Sequence, residues 1–376
     1  MSQERISFAH ILRGFAAVSV VFSHYFGVFW TRPDAVAMLT NAPQLDKSSG
    51  LFLLTMISED HRYFGSGLFG VALFFLISGF VIPFSFNSQS RFGFIVSRFM
   101  RLLPTYCVGL TAAIIAVWLC GLHFGRAFPY PAATVSLNYV LGLRDLFWRP
   151  SIDGIVWTLE IEVRFYLLCL IISPWLRAAN VKGIMLSIAI VALSSFGADL
   201  LWPTVSASGS EWLGAVYVAS MDGQMIVFML IGTLFHLLMR GALKPASFVA
   251  LATATFGIFC FLWKHSGILS PQFVFGTCSF ATALAIFAVC YIFRRTIRGG
   301  WLVNWLGDVS YSLYVTHAVV AYVIMRVALV YHMSPWTVVC LAVAWAFVSS
   351  TIVHLYVEVP THKIGRQWAK RLSAKR

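Results

Sequence analysis

The sequence predicts an all-α membrane protein, a polytopic bundle of about ten transmembrane helices with both termini on the cytoplasmic side. Hydrophobic residues make up 59% of its 376 residues and charged residues only 11%, against about 45–50% and about 25% in soluble domains. Apolar stretches of the roughly 20 residues that cross a bilayer recur along the whole chain. Because backbone groups in lipid must be satisfied within each segment, such a chain is expected to form helices.

The ten predicted spans lie at residues 8–30, 68–86, 103–123, 154–176, 183–202, 214–239, 246–264, 272–293, 305–331 and 335–357. We expect the first to be retained, because it contains a histidine, lacks a small-residue cleavage site and precedes nine further spans. Residues 1–360 are thus predicted to be one transmembrane domain, and residues 361–376 a basic cytoplasmic tail.

Basic residues predict the orientation, because Lys and Arg accumulate on the cytoplasmic side. With the N-terminus inside, the cytoplasmic segments contain eighteen: Arg5, Arg13, Arg91, Arg98, Arg101, Arg177, Lys182, Arg240, Lys244, Arg294, Arg295, Arg298, Lys363, Arg366, Lys370, Arg371, Lys375 and Arg376. The outer segments contain seven: Arg32, Lys47, Arg62, Arg126, Arg144, Arg149 and Lys264. The net charge of +13 therefore reflects topology and attraction to anionic lipids. It does not indicate nucleic-acid binding, since no basic soluble module is present.

The first span contains Arg13 and His24, two ionisable residues that are energetically unfavourable in lipid. An ionisable side chain at a helix centre costs about 2.5–3.5 kcal/mol on insertion scales. The spacing places the two side chains within roughly 20° of each other and about 16 Å apart along the axis. His10 lies on the same stripe. This face predicts a polar path from a basic mouth to an imidazole; the alternative is a snorkelling arginine and a core histidine.

The next two segments are weaker signals. The second span is apolar except for Ser78, and its glycines permit close helix packing. Arg98 and Arg101 lie one turn apart just before Pro104 begins the third span. They suit an anion site or a positive-inside anchor.

The fourth span contains three charged residues. Glu160 and Arg164 are four apart and are predicted to neutralise each other on one face. Glu162 points about 200° away from Glu160 and has no such local partner. Glu162 is therefore the candidate functional carboxylate, with a structural pair to a basic residue on another helix as the alternative.

The ninth span places Ser310, Tyr314 and His317 on one stripe. Hydroxyl groups and an imidazole on one face suit a polar cavity, and equally suit hydrogen bonds between helices. The seven cysteines lie in or beside apolar spans, without a C-x-x-C pair or a histidine at ligand spacing. We expect no metal site and no permanently bound cofactor.

These residues suggest a transfer reaction. Histidine is the usual general base near neutral pH, and arginines bind phosphates through forked hydrogen bonds. A proton-coupled transporter or flippase of a glycan or metabolite would use the same residues. A purely structural protein would need no aligned arginine and histidine.

The sequence resembles the membrane acyltransferase 3 family, bacterial multipass enzymes that O-acylate polysaccharides and other cell-surface glycans. The resemblance rests on "RISFAHILRGFAAVSVVFSHYFG", "FGVALFFLISGFVI", "SRFMRLLPTY", "VWTLEIEVRFYLL", "VSYSLYVTH" and "HLYVEVP", six matches in family order over nearly the whole chain. It implies an acyltransferase of the bacterial inner membrane, of the type without a fused esterase-like domain. Acyl-coenzyme A, with acetyl as the expected group, would be its co-substrate. A carbohydrate or glycolipid would be its acceptor, and membrane lipids would surround it.

The resemblance also implies roles for particular residues. His24 corresponds to the family's essential histidine and Arg13 to its paired arginine. Arg98 and Arg101 correspond to the arginines expected to meet acyl-coenzyme A, Glu162 to the glutamate between tryptophan and tyrosine, and Glu358, with Pro360, to the closing element. His10, Ser78, Ser310, Tyr314 and His317 are expected to line or support the cavity. Glu160 and Arg164 depart from the uncharged residues common in the family, and the arginine loop has no doubled arginine before its single pair.

Overall fold

The computed structural model describes residues 7–45 and 63–374. Its regular elements in these ranges are all helices, which confirms the predicted all-α class. Within these ranges eight helices are long and apolar enough to cross a membrane, and a bent pair makes a ninth span if counted as one. The protein is therefore a polytopic helical bundle.

The main helices include one or two for each predicted span, in the predicted order, and three further helices outside the predicted spans. They are α1 (Ser7–Phe22), α2 (Pro33–Thr40), α3 (Ser66–Val81), α4 (Arg91–His123), α5 (Ala132–Asn138), α6 (Val156–Ile171), α7 (Ser173–Ala178), α8 (Val181–Ser208), α9 (Leu213–Met239), α10 (Pro245–His265), α11 (Phe273–Ile292), α12 (Trp301–Thr316), α13 (Val319–Val330), α14 (Pro335–Val353) and α15 (Val359–Ala374). Two π-helical segments interrupt the regular winding, Ser23–Val28 after α1 and His354–Glu358 after α14.

The fourth predicted span, 154–176, is not one continuous helix. It divides into α6, of 16 residues, and the short α7, and each is shorter than the roughly 20 residues of a full span. The break falls at Ile172, just before Pro174 occupies the first turn of α7, where proline is tolerated. The charged residues of this stretch lie within the protein and not in lipid.

Several of the segments predicted to be cytoplasmic meet at one end of the bundle. There Arg91 donates to the Ser173 hydroxyl at 2.8 Å, and Arg240 donates to the Leu176 carbonyl at 3.0 Å. The Ser90 backbone N–H donates to Ser373 at 2.9 Å, so the predicted tail forms α15 and packs against the start of α4. Arg5, Lys47, Arg62, Lys375 and Arg376 lie outside the described residues.

The outer segments meet at the opposite end. Asn41 donates to the Ala127 carbonyl at 2.9 Å, and Arg126 donates to the Ala42 carbonyl at 3.2 Å. Arg326 donates to the Pro43 carbonyl at 2.6 Å. The described parts of segments 31–67 and 124–153 therefore pack on each other and on α13.

Helices α3 and α9 approach until their backbones touch. A Cβ added at Gly79 would lie 1.8 Å from the Met229 carbonyl oxygen, and one at Gly232 would lie 2.3 Å from the Leu76 carbonyl oxygen. The Thr233 hydroxyl donates to the Gly79 carbonyl at 3.1 Å. The predicted use of glycine for close packing of the second span is confirmed, because this contact leaves no room for a side chain.

We expect Gly79→Val to destabilise the bundle by at least about 1–3 kcal/mol, the usual cost of overpacking. Thermal unfolding of detergent-purified protein, followed by size-exclusion chromatography after heating, measures the loss. Gly257→Val is the matched control, since a Cβ at Gly257 meets nothing within 4 Å. Equal melting temperatures for the two variants would contradict the close approach of α3 and α9.

Candidate active site

A cavity of about 200 Å³ lies within the bundle among α1, α3, α4, α6 and α12. Seven of the predicted site residues line it: His10, Arg13, Ser78, Arg98, Arg101, Glu162 and Tyr314. Apolar side chains, among them Phe74, Phe75 and Leu102, form the rest of the wall. Residues from five separate stretches of the sequence thus meet around one space.

The cavity reaches the end of the bundle where His10 lies. The His10 side chain is 36% exposed, and its Nε2 lies 3.3 Å from a carboxylate oxygen of Asp308 and 3.1 Å from the Asn304 carbonyl. Close packing of α1 on α12 holds it there, since a Cβ at Gly14 would lie 2.9 Å from the Gly307 nitrogen. His10 therefore marks the rim, on the predicted cytoplasmic side.

Three guanidinium groups make the cavity basic. Arg98 donates to the Ser85 hydroxyl at 2.6 Å and lies over the rings of Phe94 and Tyr166, 5.3 and 5.5 Å from their centroids. Neither Arg13 nor Arg101 forms a salt bridge with any residue in ranges 7–45 and 63–374. Cations that form no direct salt bridge and line a protein-walled space can bind anions.

Glu162 is the cavity's carboxylate. One of its oxygens accepts hydrogen bonds from Tyr166 at 2.6 Å and Ser78 at 3.1 Å. Among the described residues no cation forms a salt bridge with it. The three arginines therefore outnumber the single carboxylate, and the cavity keeps a positive charge.

His24 lies beyond the cavity wall, in the π-helical segment Ser23–Val28. Its Nδ1 lies 2.7 Å from the Tyr322 hydroxyl, and its ring meets the His317 ring edge to face at a centroid distance of 4.7 Å. The His317 ring lies 5.7 Å from the ring of Tyr314, which lines the cavity. A polar path of ring contacts through Tyr314 and His317 therefore joins the cavity wall to His24. Single π turns within α-helices are frequent at functional sites.

His317 occupies the break between α12 and α13, which are bent by 67°. Its Nδ1 lies 2.7 Å from the Tyr314 carbonyl oxygen, and its own carbonyl accepts from Tyr25 at 2.6 Å. The side chain is fully buried, and its Nε2 has no hydrogen-bond partner among the described residues. A helix break leaves backbone groups unpaired, and here side chains satisfy them.

Four predicted site residues do not line this cavity: His24 and His317, which lie beyond its wall, and Ser310 and Glu358. The Ser310 hydroxyl donates to the Gly307 carbonyl of its own helix at 2.7 Å, as buried serines in helices often do. Glu358 is buried in the second π segment, where the Ser312 hydroxyl donates to it at 2.7 Å and His354 Nδ1 lies 3.0 Å away. Of the stripe predicted on the ninth span, only Tyr314 and His317 therefore belong to the polar path.

The predicted pair between Glu160 and Arg164 is wrong. Arg144 donates to Glu160 at 2.5 Å, while Arg164 binds Asp145 at 2.5 Å and also Asp222. Residues 144–145 fold down from the outer segment onto α6 and bring these partners. A pair four residues apart contributes only about 0.2–0.5 kcal/mol, so buried charge-assisted bonds from outside the helix replace it.

Several residues that contact the site could not be identified from local sequence patterns. Tyr322 reaches His24 across 298 positions, and Thr158 bonds Tyr314 through their hydroxyls at 2.6 Å. Tyr166 is the exception, since its position four residues after Glu162 places it on the same helix face. Within the described ranges, no group of three His, Cys, Asp or Glu residues is arranged to hold a metal ion.

Comparison with known proteins identifies the family. The acyltransferase 3 family model, described as an acyltransferase domain, matches residues 6–355. "Nodulation protein 10" of Rhizobium leguminosarum bv. viciae is 22% identical over 389 residues, covering 94% of this chain and 95% of that protein. "Exopolysaccharide production protein ExoZ" of Rhizobium meliloti (strain 1021) is 25% identical over 331 residues, covering 83% and 94%. No solved structure matches significantly. The chain belongs to the membrane acyltransferase 3 family and is a multipass O-acyltransferase.

Proposed function

We propose that the protein transfers an acetyl group from cytoplasmic acetyl-coenzyme A to a hydroxyl of an extracytoplasmic or lipid-linked carbohydrate, in the inner membrane of a bacterium. The basic cavity, which opens at the predicted cytoplasmic rim and is joined to His24 by the rings of Tyr314 and His317, is the observation that supports this proposal. The name of one relative, an exopolysaccharide production protein, supports a carbohydrate acceptor.

The cavity suits one part of the donor. Its volume of about 200 Å³ is below the roughly 300–1,000 Å³ of a small-molecule pocket, so a whole coenzyme A molecule does not fit inside. The thin pantetheine arm and its acyl group would enter, and the phosphates would stay near the rim and the guanidinium groups of Arg13, Arg98 and Arg101. The apolar walls would accommodate the arm, and its length would bring the thioester toward His24.

The acceptor would arrive from the other side. His24 is half-buried and lies in the π-helical segment that follows α1 and leads to the outer segments. An acceptor hydroxyl that reaches this histidine would meet the thioester there. In this scheme the acyl group crosses the bilayer through the interior of the protein. His24 takes part in the transfer step.

The first test uses purified protein in lipid nanodiscs with [14C]acetyl-coenzyme A and a glycolipid extract of the source bacterium. We expect free thiol to appear together with label on the carbohydrate. Transport of a glycan across the membrane of proteoliposomes, without release of coenzyme A thiol, would instead favour a transporter and overturn the proposal.

Arg101→Met is expected to weaken binding of coenzyme A at least about tenfold, because a charge-assisted bond to phosphate is lost. The dissociation constant, measured by isothermal titration at low and high salt, should also become less salt-dependent. Arg295→Met is the matched control, since Arg295 is exposed at the same end of the bundle and does not line the cavity. Equal affinities for both variants would remove Arg101 from the donor site.

A further inference from the structure

We propose that His317 is the general base of the reaction and that His24 acts opposite it as a hydrogen-bond donor. The inference rests on the proposed acyl transfer and divides its chemistry between two imidazoles. The geometry of their hydrogen bonds assigns the two tasks.

The proton of His317 is placed by its backbone partner. Its Nδ1 lies 2.7 Å from the Tyr314 carbonyl oxygen, and a carbonyl oxygen only accepts, so Nδ1 carries the hydrogen. The ring is fully buried, and no carboxylate of a described residue pairs with it, which favours the neutral imidazole. Its Nε2 therefore has a free lone pair, and this nitrogen has no hydrogen-bond partner among the described residues.

The proton of His24 is placed by a tyrosine. The fully buried Tyr322 hydroxyl lies 2.7 Å from His24 Nδ1 and has no other hydrogen-bond partner in the described part of the chain. The hydroxyl hydrogen therefore points at Nδ1, which accepts it. A neutral His24 then carries its own hydrogen on Nε2, so that this nitrogen is a donor.

The two rings lie directly against each other. They meet edge to face at a centroid distance of 4.7 Å and an interplanar angle of 87°. Both belong to the path from the basic cavity, through the Tyr314 ring. One ring offers a free lone pair and the other offers an N–H, which are the two functions that attack by a hydroxyl on a thioester requires.

A purely structural role explains less of what is observed. Pairing with the Tyr314 carbonyl at the helix break needs only a donor at the Nδ1 position, which an asparagine amide supplies. It does not need the second nitrogen, Nε2, which is buried without a hydrogen-bond partner among the described residues. Buried polar atoms without a partner are rare in proteins.

The transfer step follows from these assignments. The acceptor oxygen forms a bond to the thioester carbonyl carbon while its proton moves to Nε2 of His317. The Nε2–H of His24 donates to the carbonyl oxygen while that oxygen carries negative charge. The carbon–sulfur bond then breaks, His317 returns the proton to the departing sulfur, and an ester and the free thiol of coenzyme A are released with both imidazoles restored.

The decisive variant is His317→Asn, which keeps the donor to the Tyr314 carbonyl and removes the base. Acetyl-coenzyme A is the donor, and the acceptor is either the glycolipid extract or hydroxylamine, a nucleophile that needs no base. We expect transfer to carbohydrate to fall by roughly 10²–10⁴. Coenzyme A binding and hydroxylamine-dependent thiol release should stay near wild type. Wild-type transfer to carbohydrate, or an equal loss with both acceptors, would overturn the assignment.

A second pair of variants tests His24. His24→Gln places an amide N–H near the Nε2 position, whereas His24→Asn fills only the Nδ1 position, so we expect Gln to retain more activity. Equal activity of the two variants would contradict a donor role. Nitrogen-15 NMR of histidine-labelled protein, assigned with these variants, reads the tautomers without any activity. Hydrogen on Nε2 of His317 would overturn this inference, whereas a wild-type protein that releases no thiol would overturn the proposed function.

Discussion

Replacing His24 by alanine is expected to reduce acyl transfer to carbohydrate by at least roughly 10²–10⁴, the usual contribution of a catalytic proton donor or base. The variant loses the contacts with Tyr322 and His317. It leaves Arg13, Arg98 and Arg101 in place, so the affinity for coenzyme A should be unchanged. Label on the glycolipid and release of thiol measure the first effect, and titration calorimetry measures the second.

The control for His24 is another histidine of the same chain. His265→Ala changes an exposed ring at the end of α10, where Nδ1 contacts only the Phe261 carbonyl of its own helix. This variant should transfer at the wild-type rate. A His24→Ala protein that transfers as fast as His265→Ala would contradict the placement of the reaction at the two imidazoles.

Arg164→Met is expected to destabilise the protein by about 3–5 kcal/mol, the cost of leaving buried charges without their partner. Arg164 binds Asp145 and Asp222, and both carboxylates are almost completely buried. Thermal unfolding in detergent measures the loss. Helix α6 carries Glu162 into the cavity, so transfer activity should decline with it.

Two further variants make this prediction specific. Arg149→Met removes an exposed arginine side chain from the same outer segment and should change the melting temperature little. Combining Arg164→Met with Asp222→Leu restores the net charge of the cluster and should recover part of the lost stability. A single Arg164→Met protein as stable as Arg149→Met would show that the buried ion pairs do not hold α6.

Local sequence patterns were sufficient for much of the site. The composition predicted the membrane bundle, because lipid permits few backbone arrangements. The cost of charge in lipid selected Arg13, His24 and Glu162, and two of them do line the cavity. His24 itself lies two ring contacts beyond the cavity-lining Tyr314. It belongs to a π-helical segment that the regular periodicity did not predict.

Local patterns failed where the partner comes from elsewhere. The pair predicted between Glu160 and Arg164 followed helix spacing, but the outer segment supplies Arg144 and Asp145 instead. Ser310 shares the spacing of Tyr314 and His317, yet its hydroxyl bonds its own backbone. Periodicity says which face a residue occupies and not what lies opposite it.

The sequence by itself determined the fold class, the family and the candidate residues, because these depend on hydrophobicity and on short patterns along one helix. Only the tertiary structure decided which candidates meet. The break after Thr316 brings His317 to His24, and Tyr322 and the Tyr314 carbonyl place the protons of the two rings. The contacts of His24 with His317 and Tyr322 join segments almost 300 residues apart, and such contacts depend on the packing of the whole bundle.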